Sequence, residues 1–184
     1  MNECVNEVCA RQVADVVPDL HHPPPSPETK VPSRQALFVG YLDYFRSTII
    51  EQFGTVSPAE LSTGHVKSGW TPLQLLKHLA FVERRWLEWG FLGLSIDEPW
   101  GDWRDDQWHV EEDESFAVLV GALNAQGRRT SEIVLGHDLH DVSPPGPRFK
   151  GEPPTLERIL FHLLQEYARH AGHADIVVEQ VTGA

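Results

Sequence analysis

Residues 156–181, LERILFHLLQEYARHAGHADIVVEQV, hold apolar side chains at three- and four-residue intervals over about seven helical turns. With about 100° per residue and His162 set at zero, His173 falls near ~20°, Glu166 near ~40° and His170 near ~80°. Ile159 and Val177, both near ~60°, share that sector, and Leu156, Leu163 and Tyr167 continue the apolar face beside it. Glu157, Gln165, Asp175 and Glu179 fall on the opposite side. The sector that carries the histidines therefore turns inward. A carboxylate turned inward is costly unless a cation, a donor or a metal neutralises it, so Glu166 requires a partner from another element.

Three more segments carry the helical period. The first follows Ser33, a plausible N-cap, in RQALFVGYLDYFRSTIIEQF, with Leu37, Tyr41, Tyr44, Phe45, Thr48 and Ile49 as its expected inner face and an end near Gly54. The second opens at SGWTPLQ, where Thr71 caps, Pro72 suits the first helical position and Gln74 completes a capping box. It continues through LLKHLAFVERRWLEWGF, with Leu75, Leu79, Val82, Trp86 and Trp89 on one face, and stops by Gly93. The third spans roughly 114–135, with Phe116, Leu119, Val120, Leu123, Thr130, Ile133 and Val134 inside and Gly121 and Gly127 as weak points. No segment reads as a convincing strand. Four amphipathic helices predict an all-α four-helix bundle over residues 34–184. Two long connections, about 94–112 and 136–153, rich in Trp, Pro, Gly and acid, are expected to cover one end of it.

Residues 1–33 predict a flexible leader, because five prolines stand between His22 and Ser33. The cysteines, Cys4 and Cys9, both lie in that leader, where they staple little of the fold. Fifteen Lys plus Arg against 27 Asp plus Glu give a formal charge of -12, which argues against nucleic acid and anionic membranes as partners. No apolar run approaches the roughly 20 residues of a membrane span, and MNECVNEVCARQ is too polar for a signal peptide. A cytoplasmic location is the expectation.

His and Glu at i and i+4 on an inward face project about one turn apart and suit a single metal ion. A third ligand is available at His78, which the helical period turns inward with Val82 and Trp89. Three protein ligands leave an open coordination position, the mark of a catalytic site. By pattern alone, the same residues also fit interior histidines and a buried acid bonded to one another or to Arg85.

SGWTPLQLLKHLAFVERRW together with QEYARHAGHADI resembles the DinB-like superfamily of metal-binding bundles, in particular its branch of mycothiol-dependent enzymes, which includes maleylpyruvate isomerase and thiol S-transferases. The resemblance covers about residues 34–182. Ligands in that superfamily are a histidine on the second helix and a pair of histidines four residues apart on the fourth, which closes in a motif like HRGQ. HAGH, residues 170–173, matches that end; His170 takes the place of the later histidine and Glu166 stands where the earlier one would be. The resemblance thus implies His78, Glu166 and His170 as ligands, a set similar to that of the isomerase branch. His173 replaces the motif's glutamine and reads as a catalytic base, a substrate contact or a satisfied interior histidine.

His162, one turn before Glu166, is placed to orient it. Arg85 and Arg169 fall close to the ligand sector, where they would meet an anionic group or form an ion pair, and Trp89 belongs to a set of tryptophans that suits either a lid or plain packing. We assign His162, Arg85, Arg169 and Trp89 to substrate binding and His173 to catalysis. Since no cysteine follows residue 9, a reactive sulfur would come from outside the body of the chain. The resemblance implies mycothiol as that sulfur's source, in S-transfer to, or thiol-assisted isomerisation of, a small electrophile. The alternatives are a metal-dependent hydrolase that activates water and a non-catalytic metal-binding bundle. Zinc is the expected metal, with nickel, manganese and iron compatible with the same ligands, and a homodimer is compatible with the superfamily.

Overall fold

The structure is a computed structural model that describes residues 27–28, 30–146 and 148–183. The expected leader up to residue 26, with Cys4, Cys9, His21 and His22, lies outside the described residues.

Every long helix starts at a hydroxyl residue that caps its own first turn. Ser33 accepts from Ala36 N at 3.1 Å, Thr71 from Gln74 N at 3.2 Å, Ser115 from Val118 N at 3.4 Å and Thr155 from Arg158 N at 3.4 Å. Such caps contribute about 1 kcal/mol each and fix where the backbone turns into the bundle of helices. The capping box at Thr71 is complete, since Gln74 Oε1 accepts from Thr71 N at 2.8 Å. In chain order the elements are α1 (Arg34–Gly54), α2 (Pro58–Leu61), α3 (Pro72–Arg84), a π-helical continuation (Arg85–Phe91), β1 (Trp103–Arg104), β2 (Gln107–Trp108), α4 (Phe116–Leu135) and α5 (Leu156–Thr182). Gly183, at φ 70°, closes α5 in the left-handed region.

The molecule is mostly helical, as expected. Helix α1 packs on α5 and α4, and α3 packs on α4 and α5. Their shared core contains Leu42, Ile49, Phe53, Leu75, Leu79, Leu123, Leu156, Leu160, Leu163 and Tyr167, all fully buried. The inner face of α1 departs from the expected one: Phe38, Leu42, Arg46, Ile49 and Phe53 are buried, whereas Leu37 is exposed and Tyr41, Tyr44, Phe45 and Thr48 are half-buried. The physical reason is Arg46, a charged residue in the middle of the buried stripe, which a hydrophobic pattern reads as surface. Arg46 donates to Glu83 Oε1 from Nε at 3.3 Å and from Nη2 at 2.8 Å. Thr130 and Tyr167 donate their hydroxyls to the same carboxylate, so α1, α3, α4 and α5 all meet on Glu83. Gly127 makes room for this: a Cβ there would stand 2.5 Å from Arg46 Cζ.

The π-helical turn and a small antiparallel hairpin are the elements that the sequence does not announce. In and just after the π turn the bonds span five or six residues instead of four, with Leu92 N on Leu87 O at 2.9 Å and Leu94 N on Glu88 O at 3.0 Å. In the hairpin Trp103 pairs with Trp108, and both turn residues, Asp105 (φ 51°) and Asp106 (φ 61°), take the positive φ that a two-residue turn requires. Gln74 Nε2 ties the hairpin to the start of α3 through Trp108 O at 2.7 Å.

Candidate metal centre

His78 comes from the inner side of α3 about two turns after the capped start. Its Nδ1 lies 3.0 Å from Asp102 Oδ2, and its ring stacks on Trp108 with centroids 4.2 Å apart. Asp102, almost wholly buried, also receives the Arg85 guanidinium, with Nη2 to Oδ2 at 3.1 Å and Nη1 to Oδ1, while Nη1 bonds Pro99 O at 3.1 Å. Burial works to raise the Asp102 carboxyl, but the bonds from His78 and Arg85 outweigh it and hold the group below the usual carboxylate range. Burial also keeps His78 below the usual histidine range despite Asp102. A neutral imidazole whose Nδ1–H is engaged leaves Nε2 as its free lone pair, the form that a metal ligand needs.

Glu166 and His170 come from α5, one turn apart. His170 Nε2 is 3.4 Å from Glu166 Oε2, and His162 Nε2 is 3.5 Å from Glu166 Oε1. The bond to His170 holds Glu166 below the usual carboxylate range against the opposing effect of burial. His170 Nδ1 lies 3.3 Å from His173 Nδ1, and burial followed by the proximity of His170 pushes His173 down. If His170 presents Nε2 to an ion, its Nδ1–H is the donor to His173, which fixes the tautomer of both rings.

One donor atom each from His78, Glu166 and His170 lies within 4.8 Å of the other two. Two ligands each about 2.1 Å from a tetrahedral ion stand about 3.4 Å apart, the spacing already present between Glu166 and His170. Two neutral nitrogens and one ionised carboxylate are also a donor set suited to a first-row divalent ion. The residues present fit a metal, with a position left open.

The other expected site residues distribute unevenly. His162 packs against Trp86, centroids 4.4 Å apart, and reaches Glu166 as expected. Trp89 sits edge-on to Trp100 at 6.5 Å. Arg169 is exposed on α5. Arg85 is buried and committed to Asp102, so its charge is already balanced. His109 lies beside Glu111 at 3.1 Å, His137 bonds Ile133 O at 2.8 Å and His140 bonds Asp138 at 2.9 Å, and none of the three joins the donor cluster. The residue that sequence reasoning missed is Asp102. Its only signal is an acid between Trp100 and Trp103 in a loop already dense in aromatics.

A cavity of about 330 Å³ adjoins the cluster, lined by His78, Arg85, Trp100, Asp102, Trp103 and Trp108. Its walls are largely aromatic, with His78, Arg85 and Asp102 as the polar groups. A larger cavity, about 460 Å³, lies between Leu61, Thr71 and Phe116 and touches none of the three ligands. No described helix is long and apolar enough to cross a membrane. No curated protein and no solved structure matches the chain. The model of one family, mycothiol-S-transferase, matches residues 37–183, the stretch that contains all four long helices but the first turn of α1, and with that coverage the chain belongs to the mycothiol-S-transferase family.

Proposed function

We propose that this protein is a metal-dependent mycothiol S-transferase in which His78, Glu166 and His170 hold the ion. The observation that carries the reading is the three-donor cluster with its orienting partners complete and its open side against an aromatic cavity. A divalent ion held there, zinc by expectation, supplies Lewis acidity that lowers the pKa of a thiol entering the open position.

The chain's own residues do the rest. Asp102 fixes the His78 tautomer and is itself fixed by Arg85. His162 braces the second oxygen of Glu166. His173 Nδ1 accepts a hydrogen bond from the Nδ1–H of His170, which puts its own proton on Nε2 as a donor toward the substrate, and the proton that the thiol gives up passes to water. The sulfur lone pair then forms the carbon–sulfur bond to a small electrophile as that carbon's bond to its leaving group, or the π bond of an acceptor, breaks; the released electron pair takes up a proton, and Trp100, Trp103 and Trp108 line the cavity around the reacting carbon. The same proposal takes the helices as a DinB-like four-helix bundle with its two long connections at the site end, in a cytoplasmic protein compatible with a homodimer.

The test is elemental analysis of wild-type protein beside His78→Ala and Glu166→Ala, followed by calorimetric titration of mycothiol into the metal-loaded form. One metal per chain, lost in both variants, with thiol binding that depends on it, is the expected result. Metal retained in both variants returns the cluster to core packing. Metal without thiol binding or thiol-dependent turnover against a panel of electrophiles removes the transferase reading and leaves water as the group to be activated.

A further inference from the structure

With 27 acids to 15 bases, this chain has carboxylates to spare for its interior arginines. Arg46 has Glu83 and Asp43, and Arg85 has Asp102. Arg148 has none. Among the described residues it makes no hydrogen bond or ion pair, and its Nε is buried without an acceptor. Its guanidinium instead lies over aromatic faces, with Cζ 4.3 Å from the centroid of Trp86, 5.7 Å from Trp89, 5.8 Å from Phe149 and 6.0 Å from Trp100. Aromatic faces hold a flat cation through its plane and leave its edge N–H groups, the ones that match a carboxylate, unused.

The segment that carries Arg148 is seated rather than draped. Phe149 packs where Gly90 of the π turn leaves space; a Cβ at Gly90 would meet the Phe149 ring at 3.0 Å and Arg85 O at 3.2 Å. Gly93, at φ 65°, receives Pro144 in the same way. Ser143 closes the segment's base with its N and Oγ each 3.0 Å from Pro154 O. Arg148 is thus held one aromatic ring from the candidate centre on two sides: Trp86 also contacts His162, and Trp100 also carries Arg85 at 4.4 Å and lines the cavity. Asp102 balances Arg85 alone, and the half-buried Arg148 is left with aromatic partners; burial and the charge of Arg85 push Arg148 below the usual arginine range.

We infer that Arg148 is the anion anchor of this site, and that it takes a carboxylate group on a small molecule bound in the adjoining cavity beside Trp100. The inference rests on the proposed function for the site's location, but the binding it describes needs neither thiol nor turnover. It moves to Arg148 the role that the sequence pattern suggests for Arg85.

The test compares benzoate with its neutral isostere benzamide, read by tryptophan fluorescence and calorimetry on the full chain, for wild type, Arg148→Lys and Arg148→Gln. Benzoate is expected to bind wild type about tenfold tighter than benzamide, the ratio that one charge-assisted hydrogen bond sustains. Arg148→Gln should abolish the preference with benzamide affinity unchanged, and Arg148→Lys should retain part of it. The preference should persist in Glu166→Ala, which separates Arg148 from any ion as the anion's partner and keeps this result independent of the metal and thiol reading. Equal binding of the two probes to wild type, or a preference that survives Arg148→Gln, overturns the inference. Should the Gln variant not fold, Lys and wild type still decide, since a wild-type preference that is undiminished in Arg148→Lys overturns the anchor. If thiol transfer is established, a KM rise in Arg148→Lys confined to a carboxylate-bearing electrophile assigns the anion to it, and a rise confined to the thiol assigns the anion there.

Discussion

Glu83 and Glu166 are both carboxylates on the inner side of long helices, and their nearest helical neighbour in common is Tyr167, which follows Glu166 in the chain and bonds Glu83 across the core. Around Glu83, Arg46 brings two N–H groups and Thr130 and Tyr167 bring hydroxyls, so a fully buried charge is surrounded by donors from three other helices. Around Glu166 stand His162 and His170, at 3.5 and 3.4 Å, with His78 near but not bonded to it, and part of the side chain faces solvent. The chemistry of the side chain is the same. What differs is completion: a carboxylate with every lone pair occupied is structural, whereas one held at its edges by imidazoles keeps an oxygen for a ligand.

The sharpest way to break that comparison is to remove each acid. Glu83→Ala strands the buried Arg46 charge and should cost about 3–5 kcal/mol in urea unfolding, while Glu166→Ala in metal-free protein should cost less than about 1 kcal/mol. Comparable losses would mean that the two sites are not different in kind. Next in size, Asp102→Asn should weaken metal affinity by about ten- to a hundredfold, measured by competition with a chelator, because the His78 tautomer loses its anionic support. The helical circular dichroism should be unchanged. The glycines of α4 provide a third contrast. Gly127→Ala should destabilise by about 1–3 kcal/mol, since the guanidinium it would strike is pinned by Glu83 and Asp43. Gly121→Ala, with nothing within 4 Å of the added Cβ, should stabilise by up to about 1 kcal/mol; thermal melts of the two variants should move in opposite directions.

The smallest effect concerns pH. His78 and His173 lie below their ordinary values in the fold, so the unfolded chain binds more protons as pH falls. Their contribution is present above about pH 6.5 and is lost as pH drops toward the folded values. Metal-free protein should therefore show a shallow decline in stability below about pH 6.5, and this decline should shrink in His78→Phe.

How much of this was legible in the sequence depends on the range of the interaction. Helix starts at Ser33, Thr71 and Thr155 are local chemistry, and the hydroxyl and the capped amide lie within three residues, so the pattern finds them. His78, Glu166 and His170 were legible because helical period places Glu166 and His170 on one face and the KHLA and HAGH motifs supply the rest. The face of α1 was misjudged by about one residue because its centre is Arg46, whose burial depends on Glu83, 37 positions away. Asp102 and Arg148 were missed for the same reason: neither has a periodic context, and each takes its meaning from side chains that only the folded chain brings near. The π turn has no local signature beyond an aromatic run with Gly90 inside it.

Asp102 reaches His78 from the segment that carries the two-stranded hairpin, and Trp108 of the same hairpin covers the His78 ring. The hairpin and the metal ligand are thus thermodynamically linked. Whatever stabilises the loop would raise the affinity for an ion held by His78, and such an ion would by reciprocity stabilise the closed loop by the same factor. Amide hydrogen exchange at Trp103, Trp108 and His109 would then serve as a gauge of site occupancy, read from a part of the chain that donates no ligand at all.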